Sequence, residues 1–98
     1  MTHLIEILLP VTETFGQAVL GDIRSELTHR FGGVTLHVNA PAEGLWKDGR
    51  EVETDSIVVV EVMTDEIDRG WWANYRKALE QRFSQEEIVI RASQVERL

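Results

Sequence analysis

The amino-acid sequence predicts an α+β fold of the split βαβ, or ferredoxin-like, type: a four-stranded antiparallel sheet with two helices on one face. Three observations lead there. The pattern of apolar residues changes period along the chain in the order strand, helix, strand, strand, helix, strand, which is the order of that motif. The two segments this topology makes central, 4–11 and 56–63, are apolar on both faces, whereas a strand with one wet face would alternate cleanly. The 98 residues suffice for one domain, 1–98, whose core hides about two thirds of the surface of the unfolded chain. Short connections and right-handed crossovers leave few competing arrangements.

The first strand, 4–11, sets Ile5, Ile7 and Leu9 on one side and Leu4, Glu6 and Leu8 on the other, and Pro10 marks where its pairing fades. Thr14 and Gln17 match a capping box, so a helix is expected from about Phe15. Ala18 or Val19, Ile23, Leu27 and Phe31, with Leu20 beside them, form its apolar stripe, and Gly32-Gly33 supplies a left-handed stop. The second strand, 34–38, alternates strictly: Val34, Leu36 and Val38 inward, Thr35 and His37 outward. Residues 39–44 break the pattern, and Asp48-Gly49 suits the tight turn of a hairpin arm that joins this strand to the third.

The third strand, 56–63, puts Val58, Val60 and Val62 on one face and Ile57, Val59, Glu61 and Met63 on the other. Thr64 or Asp65 is the expected cap of a second helix over 66–83, with Trp72, Tyr75 or Arg76, Leu79 and Phe83 on its inner face and Trp71 and Ala78 at its edge. A fourth strand follows at 87–92, ahead of a polar tail.

Seventeen acidic against ten basic side chains leave a net charge of -7, which repels phosphate backbones and anionic headgroups, so neither nucleic acid nor membrane is an expected partner. The chain lacks cysteine, which removes disulfides, thiolate metal sites and thiol nucleophiles. Residues 1–6 do not read as a signal peptide, and the apolar runs fall short of the roughly 20 residues of a membrane helix, so a cytoplasmic location is expected. Neither a metal-ligand spacing, a phosphate loop nor a serine elbow is present, and no cofactor is implied.

His37 is the titratable group best suited to act as a general base or ligand near neutral pH, although a histidine on an edge strand is more often a surface or interface residue. Glu6 and Glu61 share the second face of the central strands; as neighbours they form either an acid-base couple or, more commonly, ion pairs with Arg91 and His37. Trp72 and Tyr75 read as core or core edge, and Trp46 and Trp71 as a partner surface or pocket rim.

Several of these residues carry a likeness to a known group. Arg30-Phe31, Gly33-Val34-Thr35, Gly44 with Trp46, Gly49, Asp55-Ser56, Tyr75, Phe83, Gln85-Glu86 and Ile88 resemble the pattern of a family of small uncharacterised bacterial proteins, a domain of unknown function. The resemblance implies a ferredoxin-like fold and supplies no activity. Members of that family often carry an export signal, which residues 1–6 are not expected to form, so localisation is not carried across from the resemblance.

Three functions follow as expectations. The first is a homodimeric structural or interaction module, because Leu4, Leu8, Ile57, Val59, Met63 and Val89 would otherwise form a larger exposed patch than monomers usually tolerate. The second is a cofactor-independent enzyme or small-molecule binder of the dimeric α/β-barrel kind, with His37, Trp46, Trp71 and Tyr75 lining a pocket between sheet and helices. The third is an acidic regulatory module that accepts a partner's strand at a sheet edge.

Overall fold

Alternating strands and amphipathic helices bury their apolar residues in one shared layer. The computed structural model describes the backbone of residues 1–98 and every side chain except those of residues 39–41, 46, 48 and 52–55. The elements are β1 (Thr2–Leu9), α1 (Gln17–Phe31), β2 (Thr35–Asp48), β3 (Glu51–Thr64), α2 (Arg69–Arg82) and β4 (Ile90–Val95). They build one antiparallel sheet in the order β2-β3-β1-β4. The fold class is the one the sequence predicts.

Between sheet and helices lie Ile5, Ile7 and Leu9 of β1 and Val58, Val60 and Val62 of β3, packed on Leu20, Ile23 and Leu27 of α1 and on Trp72, Leu79 and Phe83 of α2 and its end. All are nearly inaccessible to water, and each such side chain contributes about 1.5–3 kcal/mol by leaving it. Both helices therefore cover the same face. The opposite face carries Leu4, Glu6 and Leu8 beside Val59, Glu61 and Met63.

Element ends differ from the sequence expectation where two caps or turns compete. No capping box starts α1: Gln17 turns its amide back to the Thr12 carbonyl (2.9 Å), and Gly16 at φ 83° is the N-cap without a side-chain bond. Only glycine suits that position, because a Cβ there would approach Phe83 Cε1 to 2.8 Å. The expected stop does end the helix, with Gly32 at φ 83° donating its N–H to Thr28 O.

Thr64 and Asp65 do not cap α2. Asp68 does, its carboxylate accepting the Trp71 N–H at 3.0 Å, so the helix begins at Arg69, later than expected. The arm is not separate from the sheet either. β2 and β3 run as one continuous ladder from Thr35↔Glu61 to Asp48↔Glu51, and the pattern break survives only as a register irregularity between His37 and Ala42. Its two-residue turn is Gly49-Arg50, one position beyond the expected Asp48-Gly49, with Gly49 at φ 63°. β4 starts late because Glu80 Oε2 takes the Ile88 N–H (3.0 Å), and its pairing with β1 continues to Thr2↔Val95.

Candidate functional site

The charged residues of the sheet meet on the face turned away from the helices. Antiparallel register sets Glu6 of β1 opposite Glu61 of β3, and opposite Arg91 of β4 on its other side. Thr35 of β2 faces Glu61, so His37, two residues further on, projects from the same face one step along the sheet. From there its Nε2 lies 2.8 Å from Glu61 Oε1. At the far end, Arg91 Nε donates to Glu6 Oε1 at 3.2 Å. The result is one ionic row, His37, Glu61, Glu6 and Arg91, that crosses all four strands.

The two carboxylates are the shielded members. The side chains of Glu61 and Glu6 are 25% and 23% exposed, against 48% and 58% for His37 and Arg91. Neighbouring carboxylates repel, and the Arg91 guanidinium beside Glu6 offsets part of that repulsion. The geometry is that of two ion pairs back to back. Glu6 is matched by a guanidinium and Glu61 by an imidazole.

Apolar residues flank the row on both sides. Leu8 and Val59 pair on one side, and Leu4 and Met63 on the other, with Ser93 beyond Leu4 on β4. Leu4, Leu8, Val59 and Val89 are half-buried, while Met63 is 52% exposed. Ile57 is a correction to the expected patch: it is only 4% exposed, at a shallow depression it shares with Leu8, Pro10, Ile88 and Val89, and so has almost no surface left to give a partner. Arg97, in the tail after β4, borders the patch at its Leu4 and Met63 end.

The expected pocket set is split by the sheet. His37 projects from the outer face, whereas Trp71 and Tyr75 belong to α2 and pack against the core on the inner side. Because β2 pairs so that His37 faces Val59, no rotation of one side chain brings these groups together. The Trp46 side chain lies outside the described residues.

Trp71 and Tyr75 instead help clamp the helices. Their rings stack at 4.8 Å, Phe31 stacks on Trp72 at 5.3 Å, and the Arg30 guanidinium sits 4.2 Å above the Trp71 ring. Behind them, Glu26 receives the Tyr75 hydroxyl at 2.9 Å and both Arg82 Nη atoms at 2.9 and 3.0 Å. The Arg82 hydrogen bonds hold the Glu26 carboxyl below its ordinary range, outweighing burial that pushes it up, and Tyr75 adds to the lowering. Burial first, and the Glu26 contact second, push the Tyr75 hydroxyl well above the usual phenol range. Sequence reasoning missed this network. Its signal was weak: one acid on α1, and a tyrosine and an arginine seven residues apart on α2.

Among the described residues, no helix is long and apolar enough to cross a membrane. No family model matches the chain. No curated protein matches it either. Solved structures do. CutA1 from Oryza sativa superposes with a TM-score of 0.68 at 18% identity, over 97% of this chain and 80% of that one. The periplasmic divalent cation tolerance protein CutA from Archaeoglobus fulgidus superposes with a TM-score of 0.62 at 18% identity, over 99% of this chain and 86% of that one. Such low identity with near-complete coverage shows a common fold, the ferredoxin-like α+β sandwich these proteins share with this chain.

Proposed function

We propose that the protein is a structural or interaction module that works as a homo-oligomer, most simply a homodimer, joined through the outer face of its sheet. The observation that carries this is the apolar surface on that face. Both helices cover the inner side, and Leu4, Leu8, Val59, Val89 and the 52%-exposed Met63 stay partly open to water on the other. A stable interface hides about 800 Å² per partner. Sedimentation velocity at micromolar concentration tests the reading, and a monomer there overturns it.

A small-molecule function near His37 has one observation in its favour, the 2.8 Å contact with Glu61 that would orient an imidazole as a base. It ranks second because Trp71 and Tyr75, the aromatic walls such a pocket needs, lie beyond the sheet. The divalent cation tolerance named for the Archaeoglobus protein is not carried over at 18% identity. A cytoplasmic location and membership of the bacterial family described above belong to this reading as proposals; fractionation of producing cells checks the first.

A further inference from the structure

We infer that the cleft between α1 and the base of the β2–β3 hairpin binds a free amino acid with an apolar side chain, Arg24 taking its carboxylate and Glu13 its ammonium. The cleft lies on the helix side of the sheet, so it is neither the pocket expected around His37 nor part of the outer face, and the inference stands apart from the interface reading. Its volume is 640 Å³, within the range of small-molecule sites.

The topology leaves this corner open. β1 stops pairing with β3 at Leu9↔Val58, whereas β2 and β3 stay paired out to Asp48↔Glu51, so beyond Val58 the sheet is two strands wide and the segment 10–16 turns away from it toward α1. Three elements line the space. Val38, Ser56 and Val58 come from the hairpin, and Val11, Thr12 and Glu13 from the segment after β1. Gln17, Leu20 and Arg24 come from α1, where spacings of three and four set them on one stripe. Val11, Leu20 and Val58 are buried and form an apolar bottom, Val38 is still 38% exposed, and the polar side chains stand at the rim.

Charge selects the ligand. Among the described residues Arg24 and Glu13 form no ion pair and no side-chain hydrogen bond, with each other or with any neighbour, although both line the one cleft. A plain anion is drawn to Arg24 and repelled by Glu13, and a plain amine the reverse; a molecule carrying both charges satisfies both. It also has no net charge for the -7 of the chain to repel. The guanidinium fork matches a carboxylate with two parallel N–H donors. Gln17, whose amide nitrogen already donates to Thr12 O at 2.9 Å, keeps its side-chain oxygen to accept from an ammonium. An aliphatic or aromatic side chain laid on the apolar bottom takes the open part of Val38 out of water.

Titration of the full chain with L-leucine and L-phenylalanine, followed by two-dimensional amide NMR, tests this. At least one should bind with a dissociation constant below about 1 mM and shift the amides of Leu20, Arg24 and Ser56. 4-Methylpentanoate, which lacks the ammonium, 3-methylbutylamine, which lacks the carboxylate, and glycine, which lacks the apolar body, should each bind about tenfold or more weaker than leucine. Arg24→Gln and Glu13→Gln, both at exposed positions, should weaken leucine about tenfold with the rest of the spectrum unchanged, while Arg76→Gln and Glu66→Gln, the same charge changes on and before α2, leave it alone. Silence with both amino acids up to about 10 mM overturns the inference, as does binding that Arg24→Gln and Glu13→Gln leave intact. 4-Methylpentanoate binding as tightly as leucine also overturns it, and makes the cleft a plain anion site.

Discussion

Glu26 and Arg82, 56 positions apart, meet in a two-pronged ion pair at 2.9 and 3.0 Å that ties the middle of α1 to the last turn of α2. The pair is 37% exposed on each side, so its worth is that of a well-formed surface bridge, about 1 kcal/mol or less. Because the folded state holds the Glu26 carboxyl below its unfolded range, that stability is present above the ordinary carboxylate range and lost as the pH falls through the lowered one. Glu26→Gln should lower the urea midpoint at pH 7 and make little difference near pH 2. An equal deficit at both would mean that packing, not charge, is what the substitution removes.

Tyr75 gives the opposite dependence. Its raised phenol range means that its contribution is present below about pH 10 and declines as the pH climbs beyond. Ultraviolet titration should show no phenolate until the protein unfolds in alkali. A smooth phenolate rise near pH 10 with the fold intact would contradict the Glu26 contact. As Tyr75 is the only tyrosine, the signal has one source.

Two glycines of the first half of the domain should respond in opposite directions. Gly16→Ala forces a side chain onto φ 83° and against Phe83, and should cost about 1–2 kcal/mol. Gly21→Ala, inside α1 with nothing within 4 Å of the new methyl, should gain up to about 1 kcal/mol. Thermal melting of both variants against the wild type decides.

Asp68→Ala should cost about 1 kcal/mol, because it frees the Trp71 N–H. Asp65→Ala should cost a few tenths at most, since its side chain is exposed and lies outside the helix. Similar losses from both would return the cap to the position the sequence suggests.

Val59→Asp places a carboxylate between Leu8 and His37 on the outer face without touching the core. It should reduce the wild-type assembly to monomers while the helical circular dichroism stays unchanged. Loss of the helical signal would instead mark Val59 as a residue the subunit needs for its own stability.

Faces were more legible than ends. Period-two alternation put Ile5, Ile7 and Leu9 with Val58, Val60 and Val62, because burial on one face tolerates no slip of register. The same reasoning made Glu6 and Glu61 neighbours and offered them Arg91 and His37, as the sheet arranges them. Helix starts were not legible. Several residues before each helix can cap it, and tertiary contact chose between them: Phe83 against Gly16 for α1, and Asp68, whose carboxylate also lies 4.0 Å from Arg30 Nη2, for α2. The grouping of His37 with Trp71 and Tyr75 failed for a related reason. Residue type marks a side chain as suited to a pocket, but only the pairing partner, here Val59, decides which side of the sheet it reaches.

The pairing Thr2↔Val95 brings the first strand of the domain beside its last. β1 is bordered on one side by β3 and on the other by a strand made only after everything else, so a growing chain can close half of the sheet early and must keep the remaining edge of β1 open until β4 arrives. The same adjacency makes the domain nearly circular: a short linker across that seam, with new ends cut at Gly49-Arg50, should yield a permutant that folds to the same sheet.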